Sequence, residues 1–185
     1  MRPLALGLVL LCPPLAARAA PSITIAPPQS HISFTLYALG VLPVTGEFQQ
    51  FHGVVTTSSG PPAQCQVQVS LATASLHLPS PGWTNRALSP EMLNAPRFPT
   101  IAFTGGCAPS TTTGSLTQHG VTHPFALQVR QDGATMVATG HLDRIEFGIT
   151  GLPFILGRDI RITVTVPAAA GATQTLDVSA SDTAR

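Results

Sequence analysis

From residue 30 to residue 55 the chain reads SHISFTLYALGVLPVTGEFQQFHGVV, two runs of alternating apolar and polar residues joined by a short Gly and Pro turn segment. Successive side chains of a strand point to opposite sides, so a period of two puts one face on a core and leaves the other in water. Ile32, Phe34, Leu36 and Ala38 share one face of the first run, and His31, Ser33, Thr35 and Tyr37 the other. A chain that opens this way is committed to extended structure, and its apolar face has to be covered by the rest of the polypeptide.

Further strands follow at regular intervals. The pattern predicts them at residues 22–26, 30–39, 44–56, 64–75, 100–106, 114–119, 122–130, 135–143, 159–166 and 173–178. Pro27-Pro28 ends the first, because proline has no ladder donor. Ser58-Ser59-Gly60-Pro61-Pro62, His119-Gly120 and Asp132-Gly133 supply the fixed or positive φ that tight reversals need, and Asp132-Gly133 is the strongest hairpin signal. Residues 76–99 do not alternate. There Ser89-Pro90-Glu91-Met92-Leu93 combines an N-cap serine, a proline at the first helical position and an early carboxylate, which predicts a short helix start. That segment reads either as a helical plug over one end of the sheet or as a surface connection. Meandering antiparallel strands in one domain protect their edges by closing into a barrel or stacking as a sandwich, and the pattern alone fits both.

Composition narrows the function classes. Only 9% of residues are charged, 44% are hydrophobic and the net charge is +1, so there is no basic field to hold nucleic acid. The first residues, MRPLALGLVLLCPPLAARAA, read as a secretory signal: Arg2, an apolar run from Leu4 to Leu11, and a small-x-small cleavage site ending at Ala19. Pro13-Pro14 interrupts the run well short of the roughly 20 residues a membrane span needs, and Leu11 before Cys12 argues against a lipid attachment site. The reading is therefore residues 1–19 as signal, 20–178 as one domain and 179–185 as a frayed tail, in an exported, periplasmic protein with no transmembrane segment once the signal is removed, monomeric or homodimeric. Cys65 and Cys107 remain after cleavage. If the strand beginning at Cys65 pairs antiparallel with the strand ending at Cys107, then Cys65, Val67, Val69, Ile101, Phe103 and Cys107 share a face and the two thiols meet. A bridge there would be worth about 4 kcal/mol in the chain-entropy account; two buried free thiols are the alternative.

Five fragments carry a resemblance. Gly46, Phe48, Phe51 and Gly53 form a Gly-x-Phe-x-x-Phe-x-Gly pattern; Phe98-Pro99-Thr100-Ile101-Ala102-Phe103 is similar to a Tyr-Pro-x-Ile-x-Phe strand; Gly114-Ser115-Leu116-Thr117-Gln118-His119-Gly120-Val121-Thr122-His123-Pro124 is similar to a Gly-x-Leu-Thr-x-x-Gly-Val-Thr-x-Pro hairpin. Asp143-Arg144-Ile145-Glu146-Phe147-Gly148-Ile149 is close to an Arg-Ser-Asp-Phe-Gly-Ile loop, and residues 159–166 fit a closing strand. In this order the fragments resemble the YceI-like family. The chain departs from it at Thr84-Asn85-Arg86-Ala87-Leu88, where the family has an Arg-Asp pair and a His before Leu. The resemblance implies an all-β, antiparallel, lipocalin-like barrel of about eight strands with a short helical segment, whose elongated apolar interior holds a polyisoprenoid chain.

Catalytic chemistry has few candidates. His119 and His123 are four apart across a turn, where they need not converge as on a helix, and no Glu follows for a metalloprotease site, so they read as solvated turn residues and no metal is expected. There is no haem attachment motif, phosphate loop or nucleophile elbow. Asp143, Arg144 and Glu146 form the one local charge cluster: either a surface loop with weak ion pairs, or a polar latch at a barrel mouth with Arg144 facing a head group above Phe147 and Ile149. Phe34, Leu36, Val67, Val69, Ile101, Phe103, Phe125, Leu127, Ile162 and Val164 would point inward, as packing for any one of them and, by the resemblance, as a cavity wall for the set. The function expected is binding: an exported carrier of an isoprenoid lipid such as a quinone or prenyl phosphate, with no cofactor and no covalent step. The rivals are an enzyme on the same scaffold, using His141 or the Arg144 and Glu146 pair, and an envelope accessory protein that binds a partner.

Overall fold

The computed structural model describes residues 22–58 and 64–168. Its strands are β1 (Ser22–Ile25), β2 (His31–Ala38), β3 (Leu42–Phe48), β4 (Phe51–Ser58), β5 (Gln64–Ala72), β6 (Leu76–His77), β7 (Thr100–Cys107), β8 (Thr111–Gln118), β9 (Val121–Asp132), β10 (Thr135–Asp143) and β11 (Asp159–Pro167), with one α-helix, α1 (Pro81–Leu88). All belong to one antiparallel sheet in the order β1-β4-β5-β7-β8-β9-β10-β11-β2-β3-β6.

The fold is the expected all-β barrel, with eleven strands in place of about eight. Bending accounts for the difference. The run expected at 44–56 breaks at Gln49-Gln50 into β3 and β4, and the run expected at 64–75 breaks at a single 3-10 turn, Thr73–Ser75, before β6. The two corners nest, since the Gln49 amide donates to Ser75 O and the Ala72 amide to Gln50 O. β1 and β2, separated by a turn at Pro27 and Pro28, lie along the same edge of the bent β3–β4 run. Counting each broken run once, the eleven strands make eight staves, and hydrogen bonding passes from β4 through β5 and β7 to β11, then through β2 to β3, which leads back into β4. The wall so closes on itself, which is how a sheet removes its exposed edges.

Inward parity switches at every corner. Ile25 is buried in β1 and Ile32 in β2; Phe48 in β3 and Phe51 in β4; Leu71 in β5 and Leu76 in β6. In each pair an odd position on one half gives way to an even one on the other, so an extra residue at the bend keeps the apolar side inside while the stave changes direction. The β5–β7 register pairs Val69 with Phe103 and Leu71 with Ile101, and Cys65 and Cys107 are bridged at its end, with Cα atoms 5.2 Å apart. The strand expected at 173–178, the signal at 1–19 and the tail at 179–185 lie outside the described residues.

The two ends of the barrel differ. One carries the β7–β8 and β9–β10 turns, the start of β1 and the end of β11. The other carries α1 and the long connections 78–99 and 144–158. The helix occupies Pro81–Leu88 rather than starting at Ser89. Ser80-Pro81 offers the same N-cap and first-turn proline signal nine residues earlier, and Pro90 disfavours helical geometry at Ser89, so the helix that starts first also ends there. The chain then descends through turns, with the Met92 and Asn94 amides both donating to Ser89 O and Asn94 at φ +47°. Met92 and Ala95 are buried, so this connection is a plug.

Candidate functional site

The inward face of the wall encloses a cavity of about 340 Å³. Phe34 from β2, Val67 and Val69 from β5, Ile101 and Phe103 from β7, Phe125 and Leu127 from β9, and Ile162 and Val164 from β11 all line it. These nine were among the residues that the alternation assigns to the interior. Leu36 and Ile149 line a second, smaller cavity of about 70 Å³ under the plug, and Phe147 is buried with its ring edge-on to His123 at 5.1 Å. Ile32, which the alternation puts on the same face as Phe34, also lines the main cavity, as do Phe48, Leu71, Leu116, Met136, Leu142 and Ile160, which the sequence did not assign to the interior. Phe48 and Leu71 sit beside corners, where the period is interrupted.

The lining is chemically uniform. Thr112 and Gln118 supply its polar side chains, Cys107 is in the disulfide, and none of the lining residues titrates. Phe103 and Phe125 meet edge to face, 6.2 Å between centroids, so aromatic surface faces the space. The rim at the end away from the plug includes Ile23, Ala108, Pro109 and Pro167, all exposed. Such a site removes apolar surface from water and offers no acid, base or nucleophile.

Arg144 lies at the opposite, plugged end. It is 1% exposed, and its guanidinium donates to four backbone carbonyls: Nε to Gly157 O at 2.9 Å, Nη1 to Ile149 O at 2.6 Å and to Gly151 O at 2.8 Å, and Nη2 to Leu156 O at 3.1 Å. Burial pushes its pKa down from the ordinary value, and Asp143 partly offsets the shift. The planar fork gathers a loop with no strand ladder of its own, a task a point charge cannot perform as well. Asp143 in turn accepts from Arg158 Nε at 3.0 Å and Nη2 at 2.5 Å, and from the Ile145 amide at 2.9 Å; the Arg158 guanidinium holds its carboxyl below the usual carboxylate range. The charge cluster is therefore a loop scaffold, with Arg144 inside it and the Asp143–Arg158 pair on its surface.

The histidines join the same scaffold. His119 Nδ1 donates to Phe147 O at 3.2 Å and His123 Nε2 to Glu146 O at 3.1 Å, the carbonyls fixing which nitrogen carries the proton. Both are half-buried rather than solvated, and they tie the β8–β9 turn to the loop that follows β10. His119 at φ +52° and Gly120 at φ +76° make that turn, and a Cβ on Gly120 would lie 2.6 Å from the Phe98 ring. His141 points outward to Asp159, 2.9 Å away, so it does not converge on the cavity with Arg144 or Glu146. Among the described residues there is no cluster of three or more metal-ligating side chains, and no helix long and apolar enough to cross a membrane.

Comparison with known proteins agrees with this geometry. The profile of the YceI-like domain matches residues 23–168. A UPF0312 protein of Pseudomonas putida strain GB-1 is 30% identical over 170 residues, covering 80% of this chain and 85% of its own. Among solved structures, Burkholderia cenocepacia BcnA superimposes with a TM-score of 0.61 at 22% identity, covering 74% of this chain and 94% of its own. A polyisoprenoid binding domain from Saccharophagus degradans, implicated in plant cell wall breakdown, does so with a TM-score of 0.57 at 11% identity, covering 80% of this chain and 97% of its own. The sequence fragments, the closed wall with its apolar interior and the profile match converge: this chain belongs to the YceI-like family.

Proposed function

We propose that this protein sequesters or carries an isoprenoid lipid, or an amphiphile of similar shape, in the main cavity, and that it does so as an exported, periplasmic protein. The observation that carries the reading is the cavity itself: about 340 Å³, walled by aliphatic and aromatic side chains, with Thr112 and Gln118 as its polar positions. A branched hydrocarbon chain gains roughly 0.8 kcal/mol for each CH2 moved from water into such a space, so affinity needs few polar contacts. The same lining supports a reading of binding rather than catalysis, since it brings no titratable group to the ligand. The solved polyisoprenoid binding domain of similar fold supports the ligand class.

Protein purified without detergent and extracted into organic solvent should release a lipid that native mass spectrometry also detects as a bound mass. Val69→Trp, which places an indole in the cavity, should abolish uptake of added prenyl chains while the disulfide-bridged wall stays folded. Wild-type protein that is empty on purification and takes up no prenyl chain would overturn the proposal.

A further inference from the structure

Thr112, Leu116 and Gln118 stand at even positions of β8 and line the main cavity together. Thr112 pairs with Cys107 beside the β7–β8 turn, at the doorway end, and Gln118 pairs with Val121 beside the β8–β9 turn, at the plugged end. At the usual rise per residue the two lie about 20 Å apart along the strand. The cavity thus carries one polar side chain near each end and hydrocarbon between them.

Gln118 is the deeper of the two. It is 8% exposed, and its carboxamide has no hydrogen-bond partner among the described residues. A carboxamide offers two donors and two acceptor lone pairs, and native interiors seldom leave such a group unpaired. The cost in an apolar site is about 1–3 kcal/mol. A methionine here would fill nearly the same volume without that cost, so the glutamine weakens the wall it belongs to, as groups kept for a ligand do. Because Gln118 shares its face with Leu116 and lines the cavity, its unpaired amide is presented to whatever enters.

The surroundings restrict what that amide can meet. No charged residue lines the main cavity among the described residues, so a phosphate or carboxylate at this depth would be buried without a counter-charge, a cost one carboxamide does not offset. A hydroxyl, carbonyl or amide meets no such penalty and matches the carboxamide as donor or acceptor.

Resting on the carrier reading above, we propose that Gln118 determines specificity at the plugged end of the main cavity, where it hydrogen-bonds an uncharged polar group of the ligand. The ligand then lies with that group innermost and its hydrocarbon toward the rim formed by Ile23, Pro109 and Pro167.

The test compares farnesol with farnesene, the same carbon chain without the hydroxyl, by displacement of N-phenyl-naphthylamine from the delipidated protein. Gln118→Met should weaken farnesol binding about tenfold, the scale of one hydrogen bond to a group otherwise left unpaired. The same variant should strengthen farnesene binding and raise the melting midpoint of the ligand-free protein. A structural role for Gln118 predicts the reverse, a lower midpoint with both probes weakened. In the wild-type protein the Gln118 side-chain amide resonances, assigned by their loss in Gln118→Met, should shift with farnesol and stay in place with farnesene. The inference is overturned by unchanged farnesol affinity in Gln118→Met, by equal weakening of both probes, or by amide resonances that farnesol does not move. A loss of farnesol affinity in Thr112→Val but not in Gln118→Met puts the hydroxyl at the doorway and overturns it too. In each of these cases the binding of either probe leaves the carrier reading standing, whereas failure of both probes to bind overturns the two together.

Discussion

Replacing Arg144 by methionine keeps the volume of the side chain and removes its donors. Four carbonyls, those of Ile149, Gly151, Leu156 and Gly157, then lose their partner in a site where the side chain is 1% exposed. Each orphaned buried acceptor costs about 1–3 kcal/mol, a naive sum of about 4–12. The true figure is smaller, because the variant no longer buries a charge and the loop relaxes to admit water, which places the expected loss at about 3–5 kcal/mol. Against a domain stability of about 5–15 kcal/mol this is enough to open the plug before the wall. Urea titration followed by Trp83 emission should therefore show an earlier transition than far-UV circular dichroism, which reports the strands. Arg144→Lys retains the charge but presents its donors at one point, so it should recover less than half of the loss. A methionine variant within about 1 kcal/mol of wild type, or a lysine variant equal to it, would refute the view that the guanidinium fork organises this loop.

Other outcomes can be measured with the same probes. Reducing the Cys65–Cys107 bridge, which spans a sequence separation of 42, should lower the unfolding free energy by about 4 kcal/mol and the denaturation midpoint with it, seen by comparing melts with and without dithiothreitol. Because Arg158 holds the Asp143 carboxyl below its ordinary value, the stabilisation from this pair is complete above the usual carboxylate range and is lost as pH falls through the lowered value. Asp143→Asn should accordingly reduce stability at neutral pH and flatten the acid limb of a pH titration. A Cβ on Gly114 would lie 2.2 Å from Thr104 O and 2.5 Å from the Gly105 Cα, so Gly114→Ala should destabilise the β7–β8 pair by about 1–3 kcal/mol, read by chemical denaturation.

Much of the wall was legible because alternation reports directly which side chains face inward. The register that joins Cys65 to Cys107 followed from the same parity, and the structure has it. The corners were harder to see, yet they left a trace. Phe48 and Phe51 are both buried though three apart, with Gln49 and Gln50 exposed between them, a spacing no straight strand allows. The same odd-to-even switch separates Leu71 from Leu76 and Ile25 from Ile32. The helix was misplaced by one cap because Ser80-Pro81 and Ser89-Pro90 both offer an N-cap serine and a first-turn proline, and Pro90 ends the helix that starts at Pro81. Arg144 was recognised as special but not for its position, since four carbonyl partners spread over residues 149–157 form no motif. Nor does local pattern reveal the smaller chamber, which depends on side chains from β2, β3, β6, β11, α1 and two loops meeting at one end.

Ser22, where β1 begins, and Ala168, whose amide donates to Ala134 O just past β11, stand at the same rim as Ile23 and Pro167. The described chain thus enters and leaves the barrel at the doorway of the large cavity. An affinity tag or fluorescent fusion joined directly to Ser22 or Ala168 would crowd the entrance and distort apparent uptake, whereas a reporter dye on the exposed β2–β3 hairpin at Gly40, on the far side of the molecule, leaves it clear.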